Sequence, residues 1–283
     1  MKKLIAILLA ASMLFVFAAC SGKEEPETTA PVETTMEDIF AEPETDAPVE
    51  GETAAPVEGE TAAPVEGETA APAADMDKAA FVAFLNAETA KAAKGTYNFN
   101  RNCQYTTPVS LDKGESVIDG IISAIDENSN LGTVVGGFLG IGTKTGAYPK
   151  DELDSDYALK ATTLKESDLQ NFTANNGTYT FTLANAKDPK KTGATPLSRF
   201  TNDFITHEEV VAGIADFTTA ITVNSTKVNY DSIKVSVTVV DGKIATVKYS
   251  YNFDATLVIK AAVLTITGTG AAQTVGQYTN IKY

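Results

Sequence analysis

The chain has 283 residues, 22 Lys/Arg against 37 Asp/Glu and a formal charge of −15 at pH 7. The acidity is local: residues 1–20 carry +2, residues 21–75 carry −15, and residues 76–283 carry only −2. The last part lacks the basic surplus that nucleic acid selects, and a single histidine cannot build a multi-histidine metal site, so no nucleic acid, metal or cofactor is expected.

The N-terminus opens with Met1-Lys2-Lys3, followed by an apolar run from Leu4 to Phe17 and then Ala18-Ala19-Cys20-Ser21-Gly22. A basic start, an apolar centre and small residues before a cut describe a secretory signal over 1–19. A cysteine directly after Ala18-Ala19 resembles the lipobox of bacterial lipoproteins, with Phe17 where that family usually has Leu or Val. The resemblance implies a diacylglycerol on the Cys20 thiol and cleavage before it. Two or more acyl chains hold a protein stably on a bilayer, so it implies a cell-membrane protein anchored on the extracytoplasmic face. After residue 20 no apolar run reaches the ~18 residues of a spanning helix.

Residues 21–75 are Glu, Thr, Pro and Ala, with Ala-Pro-Val-Glu-Gly-Glu-Thr-Ala repeated at 47–54, 55–62 and 63–70. Such a segment buries too little surface to offset its ordering entropy, so disorder is expected. Like charges and regular prolines favour an extended tether, at most ~180 Å at about 3.3 Å per residue.

Residues 76–283 are enough for one domain. Asp77 caps a helix over 78–94 with Phe81, Phe84 and Leu85 at helical spacing. Residues 96–107 alternate: Tyr97, Phe99, Arg101, Cys103 and Tyr105 face one way and Asn98, Asn100, Asn102 and Gln104 the other, a half-buried strand. Once Cys20 is acylated, Cys103 has no partner for a bridge and reads as a small buried hydrophobe. Val117, Ile118, Ile121, Ile122 and Ile125 form one stripe of a helix over 115–127.

The glycine-rich stretch 131–142 lacks the Gly-Lys-Ser/Thr order of a phosphate loop, since Thr143 precedes Lys144. Two readings stay open. It is an irregular buried segment completing the core, or a flexible apolar flap in which Val134, Val135, Phe138, Leu139 and Ile141 line a ligand cavity. Arg101, pointing inward, either pairs with a carboxylate or meets an anion or headgroup at that cavity's mouth.

Asn175-Asn176-Gly177 marks a hairpin. Thr206 to Glu209 form a capping box opening a helix whose buried face is Val210, Val211, Ile214 and Phe217. From Ile221 the chain reads as strands: 233–239 into the turn Asp241-Gly242, then 245–253, and two more near 256–267 and 272–283. The fold class expected is α+β, a curved antiparallel sheet with a C-terminal meander and helices packed on one face. In pattern, 76–283 resembles the half-open barrels of bacterial lipoprotein carriers and small Gram-positive lipoproteins of unknown function; the former resemblance implies acyl chains held between sheet and helices.

Catalytic signatures fail in context. Ser110-Leu111-Asp112-Lys113 and Lys191-Thr192-Gly193 match two motifs of penicillin-recognising enzymes, but Gly114 interrupts the helix the serine should open, and Pro189 and Pro196 bracket the second motif. His207 sits at an exposed first turn. The acidic run Asp151, Glu152, Asp154 and Asp156 lacks the glycine and glutamate of a calcium loop, with Leu159 and Lys165 in those places. The expected function is a non-catalytic binding module for an apolar or amphipathic small molecule. A protein-interaction or surface-structural module with an envelope protein as partner comes second, and an envelope hydrolase last.

Overall fold

The computed structural model describes residues 75–151 and 156–283. The signal segment, Cys20, the repeats, and Glu152 and Asp154 of the acidic run lie outside the described residues. Among the described residues, five α-helices and eight strands follow in chain order: α1 (Lys78–Ala92), β1 (Thr96–Leu111), α2 (Glu115–Ile125), α3 (Leu131–Leu139), β2 (Gly142–Tyr148), β3 (Gln170–Asn175), β4 (Thr178–Thr182), β5 (Ala186–Lys187), α4 (Pro196–Phe200), α5 (His207–Phe217), β6 (Ile221–Val240), β7 (Lys243–Ala261) and β8 (Leu264–Lys282). The strands make one antiparallel sheet in the order β2-β1-β8-β7-β6-β4-β3, with β5 on β6. The architecture is α+β, as expected, and no helix among the described residues is long and apolar enough to cross a membrane.

The capping signals act as read. Asp77 Oδ1 accepts from Ala80 N at 2.8 Å, and Thr206 and Glu209 close a reciprocal capping box, each satisfying an otherwise unpaired first-turn donor. The Asn176-Gly177 turn joins β3 to β4, both residues at positive φ. Asp75 binds this turn from the N-terminal side, accepting from Asn176 N at 3.0 Å and Gly177 N at 2.8 Å.

Alternation dictates the core. In β1, Tyr97, Phe99, Arg101 and Cys103 are buried and Tyr105 half-buried. The register sets Arg101 opposite Gly276 of β8, Gly276 opposite Tyr249 of β7, and Tyr249 opposite Val235 of β6. Directly paired residues share a face, so this row joins the other buried residues of the sheet. Phe81 of α1 stacks on Tyr179 of β4 with ring centroids 4.4 Å apart. A separate cluster of Ile118, Ile122, Ile259, Ala261 and Ile266 joins α2 to the far ends of β7 and β8.

Four expectations are corrected. The strands placed at 256–267 and 272–283 are parts of two 19-residue strands, β7 and β8. The turn between them is Ala262-Val263, with Ala262 at φ 52° and Val263 90% exposed. Neither residue is a turn former, so the reversal left no mark on the apolar run. Bulges, such as the extra residue of β6 between Asp231 and Lys234, let strands this long bend.

The second correction is that Leu131–Leu139 is a helix and not an irregular segment. Asn130 Oδ1 accepts from Thr133 N at 2.9 Å. At the other end Gly140 takes φ 67° while Ile141 N donates to Gly136 O at 2.8 Å. Caps at both ends offset three interior glycines that each disfavour a helix by about 1 kcal/mol.

Third, the α5 face Val210, Val211, Ile214 and Phe217 is only half-buried, because residues on another side of this helix line a cavity described below. Fourth, Ile125 is 50% exposed: it is the last residue of α2, and the buried part of the stripe is Ile118 and Ile122.

Candidate functional site

The site begins with an inward-facing cation. Arg101 is 3% exposed and Asp203 2%. The guanidinium Nε lies 2.9 Å from both carboxylate oxygens of Asp203. Nη1 donates to Gly140 O at 2.6 Å and Nη2 to Thr274 Oγ1 at 3.4 Å. Gly140 closes α3, so Arg101 also meets the negative end of that helix. Tyr157 lies beneath the guanidinium, 5.3 Å from ring centroid to Cζ.

Asp203 is held from other directions as well. Tyr249 Oη donates to its carboxylate at 2.6 Å, Tyr251 Oη donates to its backbone carbonyl at 2.5 Å, and its own N–H donates to Thr201 Oγ1 at 3.0 Å. Burying either charge alone would cost several kcal/mol; here each has partners, and among the described residues no buried side-chain polar atom lacks one. Burial opposes the Arg101 charge, but the Asp203 carboxylate together with the other surrounding groups outweighs it and holds the guanidinium above its usual pKa. Burial, reinforced by the Asp203 charge, keeps Tyr249 and Tyr251 protonated far above the ordinary phenol range. The Arg101 guanidinium and the two phenols therefore keep their charge states near neutrality.

Beside it lies a cavity of about 330 Å³, near the lower end of the ~300–1,000 Å³ common for small-molecule sites. The sheet contributes Arg101, Tyr230, Tyr251 and Phe253; α3 contributes Gly137, Phe138 and Leu139; α5 contributes Glu209, Ala212, Gly213 and Asp216; and Asp156, Tyr157 and Asp203 to Ile205 complete the wall. Gly213 lets the helices approach: a Cβ there would stand 2.5 Å from Phe138 Cε1. Tyr230 is fixed by exchanging hydrogen bonds with Ile205, donating to its O and accepting from its N, both at 2.9 Å.

One corner already holds an ammonium. Lys191 Nζ lies 2.6 Å from Asp156 Oδ1 and 2.9 Å from Glu209 Oε1, and 5.3 Å from the Phe204 ring centroid. Asp156, Glu209 and Phe204 all line the cavity.

Of the residues singled out in the sequence, the structure brings Arg101, Phe138 and Leu139 to the cavity wall. Val134 packs instead on the α2 cluster and Ile141 on the main core, while Val135 is half-buried away from the lining. Positions 134 and 135 lie one turn before 138 on the same side of α3, so the division runs along the helix and not around it: Val134 reaches the α2 cluster and Phe138 the cavity. Asp203, Tyr230, Tyr251, Phe253, Glu209 and Asp216 were not anticipated. The tyrosines and Phe253 carried a burial signal through alternation, but nothing local marked Asp203 as the partner of Arg101, 102 residues away.

Of the rejected motifs, Lys191 of the Lys-Thr-Gly match and Asp156 of the acidic run stand at the cavity, whereas Ser110 and His207 are not among its lining residues. Ser110 ends β1, its hydroxyl 3.3 Å from Thr269 Oγ1. His207 is exposed, with Nδ1 2.6 Å from Thr226 Oγ1. Cys103 is fully buried, and burial raises its thiol pKa. Among the described residues no group of His, Cys, Asp and Glu could hold a metal ion.

No family model, curated protein or solved structure matches the chain.

Proposed function

We propose that the chain is a membrane-anchored extracytoplasmic lipoprotein whose domain is a non-catalytic binding module for a small apolar or amphipathic molecule. The observation that carries the binding half is the cavity at the Arg101–Asp203 ion pair, walled by Phe138, Leu139, Phe204, Tyr230, Tyr251 and Phe253. A concave, chiefly apolar surface with a few fixed polar groups is what small-molecule recognition needs. The ion pair neutralises itself and so serves the reading as a rigid floor.

The helices are read as one layer on the aromatic face of the sheet. The support is that Phe81 of α1 packs on Tyr179 and Phe181, while Ile118 and Ile122 of α2 share a cluster with Ile259 and Ile266. The opposite face offers Asn98, Asn100, Gln273, Gln277 and Lys248. At about 330 Å³ the cavity suits a single ring or short chain better than the paired acyl chains of a lipid.

The anchor half rests on the sequence Ala18-Ala19-Cys20 and the acidic, proline-rich segment after it. Membrane fractionation of wild type and Cys20→Ala tests it: the variant leaves the membrane fraction, and retention there as before would end the proposal. Native mass spectrometry of the full chain tests the binding half, with a small organic adduct expected that solvent extraction releases. An adduct-free protein that takes up no small amphiphile would remove it.

A further inference from the structure

The deep wall of the cavity is made of aromatic rings that already pack on one another. Phe204, Tyr230, Tyr251 and Phe253 line it, each 6% exposed or less. Phe204 and Tyr230 stand with ring centroids 6.0 Å apart at 73°, and Tyr230 and Tyr251 5.4 Å apart at 75°, both edge to face. The phenol hydrogens are spent inward, Tyr230 Oη donating to Ile205 O and Tyr251 Oη to Asp203 O. Neither is left for a ligand, so recognition at this wall falls to the rings. A further ring joining such a set gains edge-to-face contacts that a saturated ring of the same size cannot make.

The charged groups at the wall are also engaged. Arg101 gives Nε to Asp203 and Nη1 to Gly140 O. Asp156 and Glu209 share the Lys191 ammonium, and Asp216 is engaged as well. An ionised ligand would give up its hydration to reach groups that already hold partners, and burying a charge on those terms is costly. A neutral ligand gives up far less.

Size narrows the choice further. At about 330 Å³ the space is roughly twice the ~150 Å³ of a cavity that holds one benzene.

Building on the binding reading, we propose that the cavity takes an uncharged aromatic molecule of one or two rings and rejects ionised molecules of the same shape. Its ring packs against Phe138, Phe204 and Tyr251, and the two ion pairs stay closed around it.

Four probes of one shape separate this from unselective greasy binding: 3-phenylpropanol, 3-cyclohexylpropanol, 3-phenylpropylamine and 3-phenylpropionate, titrated calorimetrically at pH 7 into the full chain purified without detergent. The phenyl alcohol binds tightest. The cyclohexyl alcohol binds about threefold to tenfold weaker, and the ammonium and the carboxylate each bind at least about tenfold weaker. Ala212 lines the cavity from the exposed side of α5. Ala212→Leu therefore narrows the space without disturbing the core: it lowers affinity for the phenyl alcohol and leaves the urea unfolding midpoint near that of wild type.

If the cyclohexyl alcohol matches the phenyl alcohol, or either ion matches it, the inference falls and the binding reading stands. Undiminished binding of the phenyl alcohol by Ala212→Leu places the ligand elsewhere and overturns the inference too. If none of the four binds, inference and binding reading fall together.

Discussion

The same three strands, β6, β7 and β8, build two unlike cores. At one end Tyr230, Tyr249, Tyr251, Phe253 and Tyr278 surround the Arg101–Asp203 pair. At the other end Ile259, Ala261 and Ile266 meet Ile118 and Ile122 of α2 in a cluster of aliphatic side chains. The aliphatic end asks only for volume and apolarity, which many combinations supply. The aromatic end adds obligations: each buried hydroxyl needs a partner, and each partner needs its own place. That is where the chain fixes geometry, and the cavity lies against it.

The contrast can be broken most forcefully at Asp203. Asp203→Ala leaves a buried guanidinium without its carboxylate and should cost about 3–5 kcal/mol, read from urea unfolding midpoints. Arg101→Met combined with Asp203→Leu should recover most of that loss, because apolar pairs of similar volume often replace buried ion pairs without penalty. A single variant no worse than the double would show that the pair is idle.

A second ion pair sharpens the comparison through pH. Asp168 receives Arg199 Nε at 2.8 Å and Nη2 at 2.6 Å. Burial tends to raise its carboxyl pKa, but Arg199 and the Lys165 backbone N–H outweigh burial and hold it below the usual value. A depressed folded pKa contributes stability that is complete above the unfolded value of about 4 and is lost as pH falls through the folded one. Asp168→Asn should therefore cost about 1.5–3 kcal/mol at pH 7, with the gap to wild type closing as unfolding is measured at progressively lower pH below 4.

Conservative changes then compare the two ends directly. Tyr249→Phe removes only a hydroxyl but deprives Asp203 Oδ2 of a donor, and should cost about 1–3 kcal/mol. Ile122→Leu keeps volume in the aliphatic cluster and should cost less than about 1.5 kcal/mol. Thermal unfolding of both variants checks the order, and the reverse order would refute the contrast.

The smallest effect belongs to the turn at the far end. Ala262 holds φ 52°, a region that disfavours residues with a Cβ by roughly 1–2 kcal/mol. Ala262→Gly should raise stability by about 0.5 kcal/mol once its greater unfolded-state entropy is deducted, seen as a small upward shift in Tm.

Reading the chain residue by residue recovers what is local. Asp77 and the Thr206–Glu209 box announce helix starts, Asn176-Gly177 and Asp241-Gly242 announce turns, and β1 shows its two faces by alternation. Where the local signal is weak the reading strays: Ala262-Val263 reverses the chain without a turn residue, and α3 is a helix despite Gly132, Gly136 and Gly137. For the site, Arg101 stood out because a charge broke an apolar alternation. Its partner Asp203 had no such mark.

Local chemistry, carried by neighbours in the chain, was enough to specify the caps and most strands. Tertiary structure alone decided that Arg101 meets Asp203, that Gly213 admits Phe138, and that Lys191 comes to rest between Asp156 and Glu209. Those meetings depend on strand register and helix placement between residues 18 to 102 positions apart in the sequence, and no single stretch encodes a distance between two others.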